Sequence, residues 1–286
     1  MTPRNLLFFI LFLSLKPAGA QQPFTLKVFD PRPLKEAIDE LERRLGIPIN
    51  YEDPRYSNLD EIVDITDQVQ NAQQKARNPD VRIRVPRGGE LSLDAPIALK
   101  NATVSDVVAL LVQLRQAYEA RGLAGRFAVN QNNLTPSLDP IASRDGIGQW
   151  NSYNAALNSR VTFPVARRNA YETLTLILEQ VSKAIGVKVV VGGSSVLGLT
   201  NTELVLGANG EPAKWVLVNL LDQISPPWGS QRKVVRFSYR MLYDPGVKYY
   251  VFSINSVPAR DVVQPAVSNL PPSGQASPSP YFKKVP

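Results

Sequence analysis

The chemistry open to this chain is limited first by two residue types that it lacks. The 286-residue sequence contains no His and no Cys, so it has neither the imidazole base of a Ser-His-Asp triad nor a cysteine nucleophile. Zinc sites built from His or Cys, haem bound through His and iron-sulfur clusters are excluded for the same reason. What remains is carboxylate, Lys, Tyr or Ser chemistry, oxygen-ligated Ca²⁺ or Mg²⁺, and binding without a covalent step.

Acidic side chains come close together in one segment, residues 60–67. Its carboxylates could in principle surround a hard cation; they belong to Asp60, Glu61, Asp64 and Asp67. Apolar residues interleave with them as in a strand, and the glycine turn of a calcium loop is absent. We therefore predict a solvated strand or loop here, and no metal site and no cofactor in the chain.

A carboxylate-dependent hydrolase is the enzymatic alternative. It would need two acids to meet in a cleft, and the acids near predicted element ends are Asp53, Asp94, Asp139 and Asp145. Nothing in their spacing brings any two together, so we predict no catalytic residue and no enzyme.

Basic residues gather around the last long predicted strand, and they are Arg232, Lys233, Arg236 and Arg240. Phe237, Tyr239 and Met241 occupy the opposite alternation. One interpretation is a strand with the apolar set in the core and Arg236 and Arg240 in water. The other is a docking surface for an anionic partner or cell-wall polymer, and the four basic residues are the predicted partner-binding site. Nucleic acid is not an expected partner, because the chain has the features of an exported protein.

Residues 1–20 have the pattern of a secretory signal peptide. A basic residue precedes an apolar run at residues 6–15, and Ala18-Gly19-Ala20 offers small residues for cleavage. The run is too short to span a membrane, which needs about 20 residues, so a membrane anchor is the less favoured interpretation. Removing Arg4 and Lys16 with this leader lowers the formal net charge from +7 to +5. The expected location is the periplasm or the extracellular medium, with no transmembrane span.

An internal repeat organises the rest of the chain. Apolar residues at helical spacing lead to Gly46, and the same spacing 140 residues later leads to Gly186; the two sets are Leu34, Ala37, Ile38, Leu41, Leu45 and Leu174, Ile177, Leu178, Val181, Ile185. A strand pattern follows each glycine. We predict an α+β fold of two tandem β-α-β-β-α-β modules, the second gaining a hairpin with its turn at Asp244-Pro245-Gly246.

Composition sets the expected domain boundaries. The first module should span residues 21–131, with a polar insertion near 55–87, and the second should span residues 159–257. Residues 132–158 are rich in Asn, Pro, Ser, Asp and Gly and are predicted to form an irregular linker. Residues 258–286 are rich in Pro and Ser, which predicts a disordered tail.

The stretch from Arg32 to Tyr51, RPLKEAIDELERRLGIPINY, resembles the short N-terminal domain of secretins and TonB-dependent receptors. Residues 171–191 resemble a degenerate second copy that lacks the Pro and the Tyr. The resemblance implies a periplasmic, non-enzymatic module that docks on proteins of secretion or transport machinery. No channel or receptor barrel follows the two modules in this sequence, so we expect a docking protein and not a channel.

The prediction is therefore an exported docking protein whose partners are envelope proteins. A cell-wall carbohydrate binder or carboxylate-dependent hydrolase is the alternative, and it requires clustered carboxylates in a concave pocket. A small-ligand sensor is a third interpretation, and it requires an apolar cavity between the modules. The sequence makes no prediction about the oligomeric state.

Overall fold

The fold is α+β, as predicted: helices and strands are mixed along the chain and the strands form several sheets. The computed structural model describes residues 24–70, 73, 77, 80–95, 102–132, 135–192, 196–225 and 235–258. The predicted leader at residues 1–20, the predicted tail beyond residue 258, and Arg232 and Lys233 lie outside the described residues.

The amino-terminal half contains seven strands and three helices among the described residues. In chain order they are β1 (Phe24–Asp30), α1 (Pro33–Leu45), β2 (Asn50–Glu52), β3 (Ile62–Asp64), α2 (Thr66–Val69), β4 (Arg84–Pro86), β5 (Gly89–Ala95), α3 (Val104–Ala120), β6 (Arg126–Asn132) and β7 (Thr135–Arg144). A 3-10 turn at Leu59–Glu61 precedes β3.

The carboxyl-terminal half follows a short strand, β8 (Trp150–Ser152), and a 3-10 turn at Ala156–Asn158. Its elements are β9 (Arg160–Asn169), α4 (Ala170–Ile185), β10 (Val189–Val191), α5 (Val196–Thr200), β11 (Glu203–Pro212), α6 (Ala213–Ile224), β12 (Val235–Asp244) and β13 (Tyr249–Pro258).

The strand pairings of the first half recur in the second. β1 pairs with β5 and β9 pairs with β11, both antiparallel. β2 pairs with β7 and β10 pairs with β13, both parallel. β6 pairs with β7 and β12 pairs with β13, both antiparallel. The register recurs too, since Tyr51 faces Leu138 and Val191 faces Phe252.

Local signals account for the ends of the main helices. Gly46 and Gly186 end α1 and α4 in the left-handed region, at φ values of 63° and 64°, a conformation that glycine adopts without a side-chain penalty. Thr103 and Asp106 form a reciprocal capping box at the start of α3. The two glycine ends are where the sequence pattern predicts them.

The expected irregular linker contains regular structure. Residues 135–144 form β7, which lies between β2 and β6 in the main sheet, and residues 150–152 form β8. Pro136 and Pro140 lie within β7. Because proline is rare in interior strands, these two residues argue against a strand when only the sequence is known. The expectation that only the second half ends in a hairpin is wrong, since β6 and β7 form one in the first half.

The predicted polar insertion also contains regular structure. β3 and β4 pair antiparallel between residues 62–64 and 84–86, and Asp64 accepts a hydrogen bond from the Thr66 N–H at 2.9 Å at the start of α2. The segment therefore adds a small two-stranded sheet to the first half.

One sheet joins the two halves, with strand order β10-β13-β12-β2-β7-β6. The joint is the parallel pair β2–β12, in which Arg240 faces Tyr51. Tyr51 packs in the core of the first half, whereas Tyr239 and Met241, the neighbours of Arg240, pack in the core of the second. Because side chains alternate along a strand, the helices of the two halves cover opposite faces of this sheet.

Candidate functional site

Two of the four residues of the predicted basic site, Arg236 and Arg240, lie within the described residues. Arg232 and Lys233 lie outside the described residues, and Arg236 is half-buried on β12. Arg240 is only 1% exposed, so the expectation that it lies in water is wrong. Its face of β12 is covered by α1 because β12 pairs with β2 of the other half, a contact between residues about 190 apart in the chain.

The guanidinium of Arg240 binds acids of α1 and backbone of β2. It donates to Asp39 at 2.7 and 2.9 Å, to Glu42 at 2.6 Å and to the Ile49 carbonyl at 2.6 Å. Burial raises the pKa of Glu42, and the charge of Arg240 opposes that rise. Arg240 therefore fastens the second half to the first and is not available to a partner.

A buried carboxylate, Asp53, makes a second contact between the halves. It accepts hydrogen bonds from the Arg32 guanidinium at 2.8 Å, from the Tyr51 hydroxyl at 2.7 Å and from the Tyr56 hydroxyl at 3.0 Å. Arg32 also donates to the carbonyl of Tyr243 on β12 at 2.7 Å. The Tyr243 N–H donates to the same carboxylate at 3.2 Å, and this direct bond between the halves gives Asp53 a structural role.

Glu52 is another buried carboxylate at the joint between the halves, and its surroundings raise its pKa. It is 1% exposed and accepts hydrogen bonds from the backbone N–H groups of Ala156 and Leu157. Burial, followed by the nearby charge of Asp139, raises the pKa of Glu52 to about 8. Asp139 itself is bound by Lys214 at 3.2 Å. The sequence does not predict that Glu52 and Asp139 lie close together; the parallel pairing of β2 with β7 brings them together.

A cleft of about 740 Å³ lies where α1 meets β12 and β13. Asp39 and Glu42 line one side, and Leu199, Ile224 and Phe237 are among its apolar residues. The oxygens of both carboxylates are engaged, since Lys35 binds Asp39 at 2.7 Å and the Ile49 N–H binds Glu42 at 2.6 Å in addition to the Arg240 contacts. Neither acid is free to serve as a proton donor or acceptor while Arg240 is in place.

Side chains of α4 and of β9 itself occupy outward-facing backbone groups of the edge strand β9. The amide of Gln180 on α4 both accepts from the Thr162 N–H at 2.9 Å and donates to the Thr162 carbonyl at 3.1 Å. Pro164 has no N–H, and its carbonyl accepts from Arg168 at 3.2 Å. Such capping protects an edge from pairing with another chain.

Two other edge strands have helix caps of the same kind. On β1, the Thr25 carbonyl accepts from Arg44 of α1 at 3.2 Å. On β6, Phe127 donates its N–H to Glu119 and accepts at its carbonyl from Arg115, both at 3.5 Å. Strand addition at the capped positions would have to displace these side chains.

The outer edge of β10 is different. The Lys188 carbonyl and the Gly192 N–H both bond to β13, at 2.8 Å each, so by alternation Val189 and Val191 direct their backbone groups outward. The Val189 N–H donates to the Ser182 hydroxyl at 2.8 Å. In the part of the chain that the structure describes, no hydrogen bond engages the outward N–H and carbonyl of Val191, and β10 ends the main sheet.

The first half shows what fits this edge. β2 is the counterpart of β10, and its outer edge is filled by β12 running parallel. The cap beside the edge also recurs, because Glu42 accepts from the Ile49 N–H just as Ser182 accepts from the Val189 N–H, each seven residues along the chain. The offset of 140 residues could have revealed this correspondence in the sequence, but it could not show which strand occupies the edge.

No helix among the described residues is long and apolar enough to cross a membrane. The same residues contain no group of three or more acidic side chains placed to hold a metal ion. Comparison of the chain with protein-family models, with curated proteins and with solved structures found no match.

Proposed function

We propose that this protein is an exported, non-enzymatic docking protein of the cell envelope, and that a partner docks by adding a strand to the outer edge of β10. The observation that carries the proposal is the open edge at Val191, which contrasts with the filled edge of β2 in the same molecule. Strand addition gains affinity from main-chain hydrogen bonds and specificity from alternate side chains.

The composition of β10 supports this role. Its three valines are half-buried and carry no charge, whereas edge strands that must stay unpaired usually carry Lys, Pro or a bulge. The pattern of the leader and the resemblance of residues 32–51 to the N-terminal domain of secretins and TonB-dependent receptors support an envelope location and a protein partner.

The test uses a proline at the open position. Val191→Pro removes the outward N–H without breaking the β13 ladder, because that N–H does not face β13. Val191→Ala keeps the N–H and serves as the matched control. After both variants are shown to have the circular dichroism and unfolding midpoint of the parent, each is used to capture proteins from the organism's own envelope extract.

We expect the wild type and Val191→Ala to retain a common partner that Val191→Pro loses. Equal capture by all three proteins would refute docking at β10. Retention of nothing above background, combined with turnover on a glycan or peptide panel, would refute the docking function and favour the hydrolase alternative.

A further inference from the structure

We infer that the β10 edge selects a parallel strand that carries an arginine opposite Val191. This inference rests on the proposed function and names the partner chemistry that the same edge recognises. The internal joint β2–β12 is the template, because β2 and β10 hold equivalent places in the recurring strand pairings.

The template shows what the arginine does. Arg240 lies opposite Tyr51, and its guanidinium reaches across β2 to the Ile49 carbonyl and to Asp39 and Glu42 on α1. The planar fork of arginine suits this arrangement, since it donates to a backbone carbonyl and to carboxylates at once. The second half would have to present similar acceptors beside β10.

The second half presents three such acceptors, each 140 residues after its counterpart in the first half. Glu179 on α4 stands where Asp39 stands on α1, and Ser182 stands where Glu42 stands. The Val189 carbonyl, directed outward beside Val191, corresponds to the Ile49 carbonyl. Glu179 is exposed, and no ion pair engages it within the described residues.

The neighbouring basic residue does not oppose this assignment. Lys183 follows Glu179 by four residues, as Arg43 follows Asp39. In the template, Arg240 binds Asp39 although this basic residue is nearby, so Lys183 should not prevent an arginine from binding Glu179. Ser182 replaces an acid, however, and leaves one carboxylate where the template has two. The added strand should therefore be held less tightly than β12, as suits a partner that dissociates.

A second copy of this chain is not the expected occupant. The strand equivalent to β12 in the first half is β6, and the register places Ala128 where β12 has Arg240. Side chains of α3 also cap the outward groups of Phe127 on that strand. The β6 edge of one molecule therefore lacks the arginine that the β10 edge of another would select, and the partner is a different protein.

The experiment uses a peptide of the β12 sequence as the probe. A labelled ten-residue peptide, VRFSYRMLYD, is compared with versions in which its second arginine is Lys or Ala, and binding to the full-length protein is measured by fluorescence anisotropy. We expect the arginine peptide to bind about five- to tenfold more tightly than the alanine peptide, the size of a charge-assisted hydrogen bond, with lysine in between.

Two protein variants locate the effect. Val191→Pro should abolish binding of every peptide, and Glu179→Gln should reduce the arginine preference to less than about twofold. Glu172→Gln, which changes an exposed acid in the first turn of the same helix, should leave the preference unchanged.

Each other outcome overturns a defined part. Equal binding of the three peptides, still abolished by Val191→Pro, would refute the arginine preference and leave strand addition standing. Absence of binding, or binding that Val191→Pro does not change, would refute recognition of such a strand at this edge, while envelope capture judges the docking function separately. Self-association of the protein that Val191→Pro removes, seen by sedimentation, would replace the partner with a second copy.

Discussion

Burial makes different demands on Arg240 and Glu52, two of the ionisable side chains at the joint between the halves. Arg240 finds two carboxylates and a carbonyl within 2.9 Å, so its charge is compensated where it lies. Glu52 accepts from backbone N–H groups and lies near a second acid, Asp139, whose charge outweighs the opposing charge of Lys214. The cost of burying its charge therefore appears as a raised pKa.

The first prediction concerns the pH dependence of stability. Glu52 has a pKa near 8 in the folded chain against 4.5 for the free side chain, so the folded state binds this proton more tightly. The stability that the folded state gains from this proton is fully present below about pH 4.5 and is lost as the pH rises through about 8. Glu52→Gln should flatten the fall in the free energy of unfolding over this range, measured by urea denaturation at constant ionic strength.

The difference between the two curves isolates Glu52 from the other titrating groups. Glu172→Gln is the control, because this side chain is exposed, and its curve should run parallel to that of the wild type. If the Glu52→Gln curve also runs parallel to the wild type, the raised pKa of Glu52 is disproved.

At the scale of elements, local signals predict helices better than strands. The ends of α1 and α4 follow from an apolar stripe and a glycine, which act within one element. β7 is not predicted from the sequence because it contains Pro136 and Pro140. Its place between β2 and β6 also depends on pairing with another part of the chain. The burial of Arg240 could not be predicted for the same reason. Alternation shows that its side chain points to the face opposite Tyr239, but it does not show that the first half of the chain covers that face.

The second prediction tests whether helix side chains protect strand edges. Gln180→Ala frees both outward backbone groups of Thr162, so we expect self-association to rise in light scattering relative to the wild type. The unfolding free energy should fall by about 0.5–1.5 kcal/mol. Gln180→Glu keeps the acceptor for the Thr162 N–H, so its self-association should lie between those of the wild type and Gln180→Ala. Unchanged scattering for Gln180→Ala would show that this cap does not limit pairing.

At the scale of the whole molecule, the continuous sheet makes the halves depend on each other. β2 is completed by β12, and Arg32, Asp53 and Arg240 all bind across the joint. Each half nevertheless has its own main core on its own face of the sheet, although Tyr56 and Ala124 of the first half pack in the core of the second. Cooperation between the halves therefore depends on the joint and on these core contacts across it.

The third prediction follows from this arrangement and uses native tryptophans as reporters. Trp150 lies in β8, which pairs with β7 of the first half, and the Arg126 and Arg144 guanidinium groups lie over its ring at 4.1 and 4.7 Å from the centroid. Trp215 lies on α6 of the second half. Two proteins, each retaining one of these tryptophans with the others changed to Phe, should show coincident urea transitions. Different midpoints would mean that the halves unfold separately despite the shared sheet.

Weakening the joint should separate the two transitions. Arg240→Ala leaves Asp39 and Glu42 without their buried partner, which typically costs about 3–5 kcal/mol. We expect the two reporters to lose coincidence in this background, because the edge of β2 then holds β12 less firmly while the second core stays intact. Arg167→Ala removes the exposed ion pair with Glu203 and should shift both transitions by less than about 0.5 kcal/mol, so only loss of the buried contact uncouples the halves.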